Sequence, residues 1–201
     1  MVKTGCKDLD GLIGDYSDKI TLIYGEGGTG KTTLSLQAAI EHLKLNKKVI
    51  YIDSGENFSL ERFDQLSDNS KFEKLLVLKI KNFNYQHKHI LALEKIKNID
   101  LIIIDSITKF FRVLNRSEPE LAKGMLKKQL KILSTLNLPI IMTSEVYSDF
   151  SSIQPLSGDL IKSFANKIIK LNKTPRRFIQ ESPELKTMNF EIKNEGIFKK
   201  Y

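Results

Sequence analysis

The chain has 201 residues, of which 41% are hydrophobic, and a formal charge of +8. That length points to one domain spanning residues 1–201. A single cysteine, Cys6, excludes an internal disulfide framework and fits a reducing cytoplasm. No apolar run is long enough to cross a bilayer, so no membrane partner is expected. The basic balance permits nucleic acid or an acidic partner without choosing between them.

The opening stretch, MVKTGCKDLDGLIG, is charged and has no apolar export core. ITLIYG (20–25) reads as a buried strand, and KTTLSLQAAIEHLKL as a helix with Leu34, Ala38 and Ala39 at helical spacing. KKVIYID is a second strand ending at Asp53, and EKLLVLKI a third. QHKHILALEKIK reads as a helix; His87 and His89, two apart, face different sides of it and suggest no metal site. NIDLIIIDS is a strongly apolar strand ending in Asp105. EPELAKGMLKKQLKILSTLN is a helix, apolar along Ala122, Met125, Leu126, Leu130 and Leu133 and basic along Lys123, Lys127 and Lys131. LPIIMTS is a further strand. Strands alternating with helices imply α/β architecture, a mostly parallel central sheet flanked by helices. Beyond SGDLIKSFANKIIKLNK, the segments RRFIQES and KTMNFEIKNEG alternate as antiparallel strands do, a C-terminal antiparallel extension.

The turn between the first strand and helix, GEGGTGKTT, satisfies G-x-x-x-x-G-K-[ST]. Phosphate oxygens need converging backbone N–H groups, and side chains would obstruct that approach. Gly25, Gly27, Gly28 and Gly30 keep the loop bare, with Glu26 and Thr29 between them. Lys31 supplies a positive charge for the outer phosphates, Thr32 a hydroxyl for magnesium, and Thr33 continues a helix whose dipole favours anions. An acid at the end of a second apolar strand completes such sites, and Asp105 fills that place. The expected ligands are therefore ATP and Mg2+.

Four ordered segments carry a family resemblance: TGCKDLDGLIG before the first strand, YIDSGENFSLERF after the second, LIIIDSITKFFR, and IIMTSEVYSD with QPLSGDLIKSFANKIIKL. Together they resemble the RecA superfamily of P-loop ATPases, and within it the archaeal RadB branch. The resemblance implies a bare recombinase core without an N-terminal helical DNA-binding domain. It implies an accessory of DNA repair and homologous recombination that binds ATP and DNA, hydrolyses ATP weakly and does not exchange strands by itself. A RadA-type recombinase and a Holliday-junction resolvase are the implied protein partners. The family's water-activating Glu directly follows "DT"; here Gly55 holds that place and Glu56 comes one residue later. A one-residue shift redirects a side chain, so either the loop slips at Gly55 and Glu56 still reaches the catalytic water, or the base is displaced and turnover is slow; the second is the preferred expectation. Glu145 stands where the family has a neutral amide that senses the γ-phosphate. A carboxylate cannot donate a hydrogen bond to phosphate and repels it, unless Glu145 serves as a base. Arg62 matches the family arginine that stacks on adenine.

The family also directs two loops at DNA. The first would begin after Ser106 and include Phe111, Arg112 and Arg116; the second would span about Tyr147 to Gln154. An aromatic ring beside a cation favours single strands. From Ile161 to Tyr201 there are ten Lys and Arg against four Glu, with Arg176 and Arg177 among them, so this stretch reads as a basic face. IQESPEL lacks the basic segment found there in the family, and the loop near Tyr147 lacks Lys and Arg. These departures keep open a nucleotide-gated protein-binding module or a KaiC-like ATPase with little DNA binding.

Overall fold

Alternating apolar side chains decide the layers. In the computed structural model, which describes residues 2–16, 19–68, 70, 72–148 and 153–201, the strands β1 (Ile20–Gly25), β2 (Val49–Asp53), β3 (Leu75–Lys79), β4 (Leu101–Asp105) and β5 (Ile140–Ser144) lie parallel. All but β3 are buried along their whole length. Successive residues point to opposite faces, so each strand feeds two cores. Ile23, Tyr51 and Ile103 face one side, under α1 (Lys7–Ile13), α2 (Lys31–Lys44) and α3 (Leu60–Ser67). Leu22, Ile50, Ile52, Ile102 and Ile104 face the other, under α4 (Phe83–Ala92), α5 (Lys109–Ser117), α6 (Pro119–Thr135) and α7 (Gly158–Lys162). Of the apolar face predicted for α6, Ala122, Leu126, Leu130 and Leu133 are fully buried and Met125 is partly buried against the same core. Each such buried Leu or Ile contributes roughly 1.5–3 kcal/mol, so these central strands carry much of the stability.

A short antiparallel ladder joins β6 (Val146–Ser148) to β7 (Ile153–Pro155). Positions 149–152 of the expected second DNA loop lie outside the described residues. The sheet then continues through β8 (Lys167–Lys173), parallel to β1, into the antiparallel β9 (Arg176–Ser182), β10 (Lys186–Lys193) and β11 (Gly196–Lys199). The full order is β11-β10-β9-β8-β1-β5-β4-β2-β3. The parallel core and the antiparallel extension agree with the sequence reading; β11 and α1 were not anticipated by it. Gln37 of α2 ties the outlying pieces together: its amide donates to the Gly5 carbonyl at 3.1 Å and accepts from the Ile197 N–H at 3.1 Å. Among the described residues no helix is long and apolar enough to cross a membrane.

One expectation is overturned here. The stretch after Ser106 is not an open loop but the helix α5. Phe111 and Leu114, one turn apart, give it an apolar stripe that packs into the second core.

The parallel strands end together. Asp53 pairs in register with Asp105, and Tyr24 with Ser144, so their carboxyl ends open onto one edge of the sheet. Ligands of open α/β sheets bind outside that edge.

Candidate functional site

A cavity of about 490 Å³ lies at this edge. Gly25, Gly27, Gly28 and Gly30 form one wall with Lys31, Thr32 and Thr33. Gly25 must be glycine because the Leu171 carbonyl of β8 occupies the place of a side chain. Gly30 caps α2 with φ 104°, and a Cβ there would meet Ile192 Cδ1 at 2.8 Å. The Thr29 hydroxyl donates to the Glu26 carbonyl at 2.9 Å and fixes the turn, while Glu26 itself is exposed. The Lys31 ammonium donates to the carbonyls of Gly25 (2.7 Å) and Glu26 (2.8 Å). Burial pushes its pKa below the usual lysine value, against the pull of Asp105, Glu145 and Glu26.

Asp105 is buried and accepts three hydroxyl hydrogen bonds: Thr143 on one oxygen (2.5 Å), Thr32 (2.7 Å) and Tyr51 (2.8 Å) on the other. Thr32 and Asp105, both expected at magnesium, are in direct hydrogen-bond contact. Tyr51 and Thr143 were missed; only the pairing of β4 with its neighbours brings them to Asp105. A hydroxyl and a carboxylate beside a side-chain-free cradle suit Mg2+, which takes few protein oxygens and completes its shell with phosphate and water. The described residues contain no group of three or more His, Cys, Asp or Glu that could hold a metal unaided. The fit is thus to a metal arriving with a phosphorylated ligand.

The segment after β2 is shaped by Asp53. Its buried carboxylate accepts the N–H groups of Asn57 (2.9 Å), Gly55 (3.3 Å) and Phe58 (3.3 Å), which curls the chain. Glu56 falls at φ 54° and is exposed. It lines a neighbouring cavity with Lys79, Lys81 and Lys109, whereas Asn57 lines the phosphate-loop cavity.

Opposite the glycines the wall is ionic. Glu145 pairs with Arg112 (Nε to Oε2, 3.2 Å) and Lys109 (Nζ to Oε1, 3.6 Å), and all three line the cavity. Arg112, expected at DNA, lines this cavity while staying 45% exposed, on the same side of the helix as Lys109. Lys109 was not singled out from the sequence.

The remaining residues divide. Phe111, expected to stack on bases, is 2% exposed and packs edge-on against Phe83 with ring centroids 6.2 Å apart. A buried ring offers no face to a base, so that expectation is corrected. Arg116 is exposed at the end of α5, and Tyr147 is 46% exposed beside Lys123 and Lys127. Arg176 donates to the Gly28 carbonyl at 2.9 Å, and Arg177 to Asn189 at 3.1 Å. Arg62 donates to the carbonyls of Lys193 and Asn194, both at 2.8 Å, and does not line the glycine-walled cavity. Part of the basic face expected beyond Ile161 is paired: Lys162 meets Glu181, Lys186 meets Glu184 and Lys193 meets Glu191, the last two at the surface, and Lys167 is buried against the carbonyls of Ile13 and Asp15.

Comparison with known proteins places this arrangement. Residues 4–147 match the family described as an ATPase domain predominantly from Archaea. The chain is 32% identical to the DNA repair and recombination protein RadB of Methanococcoides burtonii, over 96% of each chain. It is 35% identical to the protein of the same name from Methanococcus maripaludis strain C5, over 77% of this chain and 76% of that one. A crystal structure of the RadB recombinase superposes with a TM-score of 0.81 at 28% identity, covering both chains completely.

Proposed function

We infer the function from one premise: this chain belongs to the RadB family of DNA repair and recombination proteins, and its fold is RecA-like. We propose that residues 1–201 act as one ATPase core that binds ATP with Mg2+ and assists recombination, with single-stranded DNA as the favoured nucleic acid. The observation that carries this reading is the contact between the Thr32 hydroxyl and the Asp105 carboxylate beneath a wall of bare backbone. In this reading the N–H groups from Gly25 to Thr33 bind the phosphates, and Lys31 exchanges its two carbonyl partners for phosphate oxygens. Tyr51 and Thr143 hold the Asp105 carboxylate in orientation. The chemistry that a bound magnesium ion supplies is charge neutralisation at the phosphate oxygens.

Turnover is slow in this proposal, because Glu56 is turned to the neighbouring cavity and a misplaced base loses rate steeply. Glu145 has its carboxylate turned to two cations rather than left open to a water. Arg62 would meet adenine only by giving up its carbonyl partners. Arg116 and Tyr147 are the retained candidates for DNA contact, with Arg176 and Arg177 secondary because both are bonded internally. A RadA-type recombinase and a junction resolvase are the proposed partners. A second reading, a nucleotide-gated protein-binding module, is favoured by the internal pairing of the tail cations.

Calorimetry with Mg-ATP tests the first claim: micromolar to millimolar binding is expected, and its absence overturns the nucleotide reading. Fluorescence anisotropy with a single-stranded oligonucleotide at two salt concentrations tests the second. Binding should weaken as salt rises; no binding at low salt would transfer the assignment to the protein-binding module.

A further inference from the structure

Five ionisable side chains line the glycine-walled cavity: Lys31, Asp105, Lys109, Arg112 and Glu145. The phosphate loop and its metal-side acid account for Lys31 and Asp105. The other three form a separate device on the facing wall. The Glu145 backbone is fixed on both sides: its N–H donates to Thr108 Oγ1 at 2.9 Å, and its carbonyl accepts from Ser144 Oγ at 2.7 Å and from Leu156 N–H at 3.0 Å. From this anchored point the carboxylate reaches the first turn of α5. There Lys109 and Arg112, three residues apart, present their cations on one side.

The grip is loose. Oε2 of Glu145 is buried without an aligned hydrogen bond, although Arg112 Nε stands 3.2 Å away, and the Lys109 pair is longer at 3.6 Å. Arg112 and Lys109 remain 45% and 39% exposed. A guanidinium binds phosphate oxygens in a fork, and charge-assisted pairs of that kind outmatch a poorly aligned carboxylate contact. A triphosphate brought up to a bare Glu145 would be repelled, whereas two interposed cations convert that wall from repulsive to attractive.

We propose that Arg112, supported by Lys109, is an intramolecular contact for the terminal phosphate of a bound nucleoside triphosphate, and that Glu145 is the resting partner from which the phosphate takes both cations. This rests on the nucleotide reading above and adds to it the discrimination of triphosphate from diphosphate.

The test is calorimetric titration with Mg-ADP and with a non-hydrolysable Mg-ATP analogue on the full chain and on Arg112→Ala, Arg112→Lys and Glu145→Gln. Arg112→Ala should weaken the analogue roughly tenfold or more, the usual scale for a hydrogen bond to a charged group, and leave ADP within about twofold. Arg112→Lys should restore part of the difference. Glu145→Gln should strengthen the analogue selectively, by releasing the cations. An unchanged ratio of the two affinities in Arg112→Ala, or an equal loss for both nucleotides, overturns this proposal while leaving nucleotide binding intact. If the unaltered chain binds neither nucleotide, the broader reading falls and this one with it.

Discussion

The two walls of the cavity are built from different material. The first, Gly25 to Thr33, presents backbone; the second, α5 with Glu145, presents charged side chains on a helix. Backbone N–H groups are held by the fold, with Gly25 pressed on the Leu171 carbonyl and Gly30 on Ile192. Long side chains can exchange partners without any change of fold. The fixed wall is therefore suited to features every nucleotide shares, and the adaptable wall to the feature that separates one nucleotide from another.

The contrast can be broken from either side. The largest effect is expected from Phe111→Ala, which removes the ring that seats α5. A loss of about 3–5 kcal/mol in stability is expected by denaturant titration, with DNA affinity of the folded fraction unchanged. A selective loss of DNA binding at normal stability would return Phe111 to the DNA surface. Lys31→Ala comes next. It should weaken ATP and ADP alike by about a hundredfold in calorimetry, since two charge-assisted contacts are lost. A loss confined to ATP would mean that the walls do not divide their tasks as described. Thr143→Val removes one of the three hydroxyls on Asp105. The Mg2+ concentration for half-maximal ATP binding should rise several-fold, at the scale of one hydrogen bond.

The smallest effect concerns pH. Burial pushes the pKa of His42, on the helix that carries Lys31, below its ordinary value. The folded state then binds fewer protons than the unfolded chain in the window between that lowered value and about 6.5. Stability should be complete above this window and fall as pH drops through it. His42→Gln should flatten that slope in thermal melts taken from pH 7 to pH 5; an unchanged slope would assign the acid sensitivity elsewhere.

Much of this was legible in the sequence for physical reasons. Ile20–Gly25 and Leu101–Asp105 are short, isoleucine-rich apolar runs bounded by turn residues, which favours buried strands, and the glycine spacing before Lys31 between strand and helix favours a phosphate-binding turn. The second wall was less legible because its meaning is tertiary. Phe111 beside Arg112 reads equally well as a stacking pair or as the two sides of an amphipathic helix, and only the packing of Phe83 decides between them. The charge of the C-terminal stretch was visible, but not its pairing, since Lys162 at the end of α7 meets Glu181 of β9. Glu56 shows a third case. Its one-residue displacement was apparent, yet the three N–H groups gathered by Asp53, which turn Asn57 rather than Glu56 into the cavity, were not.

Gln37 sits on the same helix as Lys31 and Thr32, and through one amide it holds both Gly5 and Ile197. The outermost segments of the sequence are thus spliced to each other at the back of the helix whose front meets the phosphates. A tag, fusion or trimming at either extremity would tug on that shared amide, so versions of the chain that differ only at their ends should be compared for nucleotide affinity before any difference is ascribed to the cavity itself.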